Sequence, residues 1–166
     1  MCKDSILEQT TIFNDLSDEQ CRALRGLFVE RTVLAGSAIF EQGQPAEHLY
    51  LLLGGDVLVR YKPYDGPELT IARVQPGEVF GWSAALSSPL YTSSAYALSD
   101  SHLLRVHGED LARVYEHNPE VGLLVLERLA MAISLRMNQA YEQMVKLLVQ
   151  TIQNGIRSRR MKNDYI

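Results

Sequence analysis

The sequence predicts a mainly β domain with flanking helices, followed by one long C-terminal helix. Three observations carry this. Glycine or proline punctuates the middle of the chain about every ten residues, at Gly36, Gly43, Pro45, Gly54, Gly55, Pro63, Gly66, Pro67, Pro76, Gly77 and Gly81. Short apolar or alternating runs lie between these breaks, the pattern of an antiparallel sandwich or barrel. After Gly108 the breaks thin out, the last proline is Pro119, and helical periodicity takes over.

The elements follow in order. Ser17 is a good helix N-cap and Gln20 stands three residues on, which makes a capping box. Leu16 can staple to Cys21, and the helix presents Leu24, Leu27 and Phe28 on one face. The strand runs are residues 38–40, 49–53, 57–59, 69–74, 95–98 and 102–106. Tyr64, Asp65, Gly66 and Pro67 read as a hairpin tip, because Asp-Gly tolerates the positive φ of a tight turn. Residues 109–116 form a short helix. Asn118, Pro119 and Glu120 then start another: Asn caps, Pro fits the first turn, and Glu complements the dipole. That helix is expected to run about 30–35 residues, roughly 50 Å. Ala130, Ile133, Met137, Ala140, Met144 and Leu147 repeat along it in 3-4 spacing, an a/d seam for a partner helix from a second copy. The expected boundaries are a domain over residues 1–118, the helix over 119–158 and a basic tail over 159–166. Arg157, Arg159, Arg160 and Lys162 give the C-terminus its positive charge, read as a solvated end that favours the helix terminus.

Composition narrows the function. The chain has 166 residues, 46% of them hydrophobic and 22% charged, with net charge −4. A surface basic all over, as a dedicated nucleic-acid binder has, is absent. Two cysteines, Cys2 and Cys21, with no C-x-x-C, argue against a disulfide framework and fit a reducing, cytoplasmic setting. Two cysteines supply neither an iron–sulfur cluster nor a closed zinc site, so no metal is expected. The longest apolar runs, residues 49–53 and 121–126, are too short to span a bilayer. His48, His102, His107 and His117 are scattered, there is no H-x-H, and no nucleophile–base signature stands out. An enzyme is not expected.

The most informative stretch is Pro76-Gly77-Glu78-Val79-Phe80-Gly81-Trp82-Ser83-Ala84-Ala85-Leu86, followed by Thr92-Ser93-Ser94-Ala95-Tyr96-Ala97. It resembles the phosphate-binding cassette of the cyclic-nucleotide-binding domain. Residues 12–17, residues 39–43 and residues 50–57 resemble further motifs of the catabolite-activator/FNR-type effector domain, and the resemblance covers about residues 10–150. It implies a double-stranded β-helix, or jelly roll, with the ligand held between the cassette and the long helix and with the long helices of two subunits paired. In such a cassette a short helix after Gly81 offers free N–H groups to an anion, an Arg neutralises the cyclic phosphate, and a Glu accepts from the ribose hydroxyl.

This chain keeps the backbone part and changes both side chains. Gly81, the N–H groups of Ser83 and Ala84, and the hydroxyls of Ser83 and Thr92 can still cradle an anion. The Glu position is Trp82, which accepts no hydrogen bond, and the Arg position falls on Tyr91, which carries no positive charge at neutral pH. Each lost charge-assisted bond is worth about 1.5–3 kcal/mol, so cAMP and cGMP fit poorly. Asn138 and Gln139 stand where the family's long helix touches the base. The expected function is a ligand-sensing regulatory module, homodimeric through its long helix, with a non-standard pocket whose ligand is open: another small molecule or none before cAMP or cGMP. The alternatives are a scaffold or interaction protein with a vestigial pocket, and the sensor half of a longer DNA-binding transcription regulator. Residues 157–166 cannot form a two-helix DNA reader, so nucleic acid is not a partner of this chain alone.

Overall fold

The computed structural model describes Leu7, Thr10 and residues 12–163. The chain divides into two compact units, with the division after Ala132. The first unit holds helix α1 (Asp18–Leu24), strands β1 (Val29–Val33), β2 (Ala38–Phe40), β3 (His48–Gly54), β4 (Val57–Tyr61), β5 (Leu69–Val74), β6 (Val79–Phe80), β7 (Ser94–Ala97) and β8 (Ser101–His107), and helix α2 (Gly108–His117). Helix α3 (Pro119–Asn163) starts in the first unit and makes up the described part of the second.

Two four-stranded antiparallel sheets form the β region, in the orders β1-β8-β3-β6 and β2-β7-β4-β5. This crossed-over order of neighbours is the jelly roll that the resemblance implies. Register assigns the faces. Tyr50, Leu52, Phe80 and Leu103 of the first sheet pack with Phe40, Val57, Val59, Ala95 and Ala97 of the second. Leu49, Leu51, Val79, Leu104 and Val106 point the other way, into a second core shared with Leu16, Leu24, Leu111, Val121 and Leu129 of the helical layer. The first sheet is therefore buried on both faces, which is why β3 reads as an unbroken apolar run. Each such side chain contributes about 1.5–3 kcal/mol by leaving water.

The first helix forms as its capping box dictates: Ser17 Oγ accepts from Gln20 N at 3.2 Å, and Gln20 Oε1 accepts from Ser17 N at 2.9 Å. The Asp-Gly tip joins β4 to β5, with Gly66 at φ 151°. Asn118 Oδ1 accepts from Val121 N at 3.3 Å and caps α3. Arg128, two turns beyond Val121 along α3, donates to Ile12 O at 2.9 Å and ties down the N-terminal segment.

Some expectations shift. β1 and β6 were not expected as strands. α3 runs for 45 residues, well past the expected 30–35, because Gly155 inside a helix costs only about 1 kcal/mol and does not end it. The helical backbone thus continues through most of the expected tail; the side chains of Arg157, Arg159, Arg160 and Lys162 lie outside the described residues. Cys21 is disulfide-bonded, contrary to the expectation from spacing, because a single bridge depends on proximity in the fold; Cys2 lies outside the described residues. Among the described residues no helix is long and apolar enough to cross a membrane, and no His, Cys, Asp or Glu cluster could hold a metal ion.

Candidate functional site

The cassette is positioned by β3. Gly77 N donates to Leu52 O at 2.7 Å, and Leu52 N donates to Glu78 O at 3.0 Å. Glu78 Oε2 accepts from Gln75 N at 3.0 Å and closes the turn locally. β6 then pairs Phe80 with Tyr50. Gly81 follows in the left-handed region at φ 71°. A Cβ there would lie 3.0 Å from Tyr50 Cδ2, 3.1 Å from Phe40 Cε1 and 3.2 Å from His48 O. Only glycine satisfies both the backbone angle and this close approach.

After Gly81 comes a single 3-10 turn, Trp82–Ala84. Three residues develop little macrodipole, so any pull on an anion rests on the few N–H groups of the turn. The turn is clamped from behind by α2: a Cβ on Gly108 would lie 2.5 Å from Ala84 O. Ser83 and Ala84 are buried beside it, and Ser83 O accepts from Ser88 N at 2.9 Å.

Trp82 and Tyr91, expected to share one pocket, face different cores. Trp82 is half-buried against the helical layer. Tyr91 is buried in the inter-sheet core. Its ring stacks on Phe40, with centroids 3.9 Å apart and planes at 16°. Phe40 also stacks on Tyr50, and Tyr50 on Phe80, at 5.6 and 5.3 Å. The Tyr91 hydroxyl donates to His48 O at 2.7 Å and accepts from His48 N at 3.0 Å, so both polar groups of that peptide close onto it. Burial pushes the Tyr91 and Tyr50 hydroxyls up from their ordinary range, and they stay neutral. Burial, helped by the nearby Arg105 and His107, holds the His48 imidazole below its ordinary value.

The remaining candidates scatter. Thr92 is exposed. Asn138 and Gln139 are exposed and belong to the second unit. Of the seam residues, Ala130 belongs to the first unit and is exposed; Ile133, Met137, Ala140, Met144 and Leu147 belong to the second, and all but the half-buried Ile133 are exposed. The structure therefore brings together Gly81, Ser83, Ala84 and Tyr91, and adds Phe40, Tyr50 and His48, which sequence reasoning passed over. Phe40, Tyr50 and Phe80 were visible as aromatics in or beside strand runs, but only the register places them against Tyr91. The group that a cyclic nucleotide would require at position 91, a cation facing the cradle, is replaced by a neutral ring with a satisfied hydroxyl. Position 91 therefore offers an anion no positive charge.

Residues 30–118 match the family described as cyclic nucleotide-binding domain. The chain is 30% identical over 134 residues to the cyclic AMP receptor protein of Thermus thermophilus, covering 81% of this chain and 60% of that one. It is 32% identical over 109 residues to the global nitrogen regulator of a Nostoc species, covering 63% of this chain and 48% of that one. The chain thus spans about three fifths or less of these relatives. Among solved structures, the N-terminal domain of a transcriptional regulator from Streptomyces coelicolor superimposes with a TM-score of 0.65 at 30% identity, over 79% of this chain and 94% of that one. With sheet order, cassette and relatives in agreement, this chain belongs to the cyclic nucleotide-binding domain family, of the catabolite-activator/FNR type.

Proposed function

We propose that the chain is a ligand-sensing regulatory module whose pocket takes an effector other than cAMP or cGMP and which signals through pairing of α3 with a second copy. The observation that carries the first half is Tyr91: the position that would supply positive charge is a buried, neutral phenol gripped by the His48 peptide. Phe40, Tyr50 and Tyr91, stacked beside the cradle, make its surroundings suit a flat, weakly charged ligand more than a phosphodiester. The exposed apolar seam supports the second half. Met137, Met144 and Leu147 are 67%, 52% and 64% exposed. The same 3-4 spacing continues backward through Leu126 and Leu123, also exposed. A seam of this kind gains stability by packing against its own copy.

The closeness of Phe40 and Tyr50 to Gly81 favours a second reading, a vestigial pocket in an interaction protein, since the rings already cover the backbone of the cradle. The relatives' greater length supports a third, that the module is the sensor portion of a DNA-binding regulator. Thermal denaturation across a metabolite panel tests the first reading: a ligand that stabilises the chain supports it. No shift across the panel, with a partner captured independently of any ligand, supports the vestigial pocket instead.

A further inference from the structure

On the first sheet, beside the cassette, positive charge collects with little compensation. Strand β8 pairs with β3 on one side and β1 on the other; the register sets His48 opposite His107, Tyr50 opposite Arg105, and Arg31 opposite Leu103. Tyr50, Leu52, Leu103 and Val33 belong to the inter-sheet face. Alternation along each strand puts His48, Arg105, His107 and Arg31 on that same face. Neighbouring strands are about 4.8 Å apart, so the four groups fall within one small patch.

The side chains bear this out. The His48 and His107 rings meet edge to face with centroids 5.0 Å apart. Arg31 and Arg105 both lie close enough to His48 and Tyr50 to shift their proton affinity. Among the described residues the acid facing the patch is Glu47, whose carboxylate is 4.0 Å from His48 Nδ1 and mostly exposed. The phenols of Tyr50 and Tyr91 adjoin it and stay neutral. On the second sheet and on α2 the arginines are matched: Arg60 with Glu68, Arg73 with Asp56, and Arg113 with Asp110. Among the described residues neither Arg31 nor Arg105 has an ion pair or a side-chain hydrogen bond. Holding two guanidinium groups and two imidazoles together with a single, mostly exposed carboxylate beside them costs free energy that a bound anion would recover.

We propose that Arg31, Arg105, His48 and His107, carried by β1, β3 and β8 beside the cassette, form a binding site for a phosphate-type dianion. The planar forks of two arginines suit bidentate contact with tetrahedral oxygens. The second ionisation of a phosphate monoester, near pH 6, falls in the range where imidazoles gain protons, so dianion and imidazolium stabilise each other. A carboxylate would neutralise one charge and leave the rest of the patch uncompensated. The site does not depend on what the cassette binds. It does adjoin the pocket wall, because Tyr91 grips the His48 peptide.

The test is an NMR titration of the histidine imidazoles in the full chain with inorganic phosphate and with a phosphate monoester, at constant ionic strength, with acetate as the monoanion. The site predicts saturable shifts of His48 and His107 with both phosphates and a rise in the His48 pKa on binding. Arg31→Gln and Arg105→Gln should each weaken binding about tenfold, the cost of one charge-assisted bond, while Arg73→Gln on the other sheet leaves it unchanged. Arg105→Lys, which keeps the charge, should bind between the wild type and Arg105→Gln. Non-saturable shifts, equal affinity for acetate, or equal losses in Arg73→Gln and Arg105→Gln would each overturn the assignment.

Discussion

Replacing Tyr91 with phenylalanine removes one oxygen and keeps the ring. The stack on Phe40, 3.9 Å between centroids, is left in place. The His48 carbonyl and N–H lose the partner that meets them at 2.7 and 3.0 Å. Two neutral hydrogen bonds at about 1 kcal/mol each give a loss of about 2 kcal/mol. For a chain of this size each kcal/mol moves the melting temperature by about 2–4 °C, so Tyr91→Phe should melt about 4–8 °C lower. Tyr91→Leu also gives up the aromatic pair and should lose about 1 kcal/mol more. Thermal and urea denaturation followed by circular dichroism reads both. If Tyr91→Phe melts with the wild type, the hydroxyl is not holding the His48 peptide, and the role given to the Tyr91 phenol fails.

Three further substitutions or conditions follow from the same geometry. Gly122→Ala should destabilise by roughly 1–2 kcal/mol, because its Cβ would lie 2.8 Å from Tyr115 Cα and 2.9 Å from Tyr115 Cδ1, and overpacking of that kind outweighs the gain in helix propensity; a stabilised variant would contradict it. The His48 pKa is lowered in the folded chain, so the unfolded chain binds more protons between that value and 6.5. Stability should therefore rise with pH through this window and level off above 6.5, and His48→Gln should flatten the slope, as measured by urea midpoints against pH. Met137→Glu combined with Leu147→Glu puts charge into the seam and should yield a monomer by light scattering, with the melting of the β domain little changed; a dimer that survives both would remove α3 pairing from the account.

Much of the fold was legible because its signals are local. The capping box at Ser17, the Asp-Gly hairpin and the Asn118-Pro119 start each act within a turn of chain. β1 escaped notice because it lies at a sheet edge: from Val29 to Thr32 it is exposed, so its alternation carries no apolar signal. β6 is two residues long and is defined only by its pairing with β3. The cassette was legible as glycine, turn and register of small residues. What could not be read was where Trp82 and Tyr91 point, since they are nine residues apart and the jelly roll sends one toward the helices and the other between the sheets. The bonds from Tyr91 to His48 span 43 residues, and no local pattern announces them. For the same reason Arg31 and Arg105, brought near each other only by the pairing of β1 with β8, went unread.

The central claim is that position 91 has exchanged the charge that holds a cyclic phosphate for a buried phenol. Calorimetric titration of the wild-type chain with cAMP and cGMP tests it most directly. No saturable binding at micromolar nucleotide is the predicted result; micromolar or tighter binding of either nucleotide would contradict it.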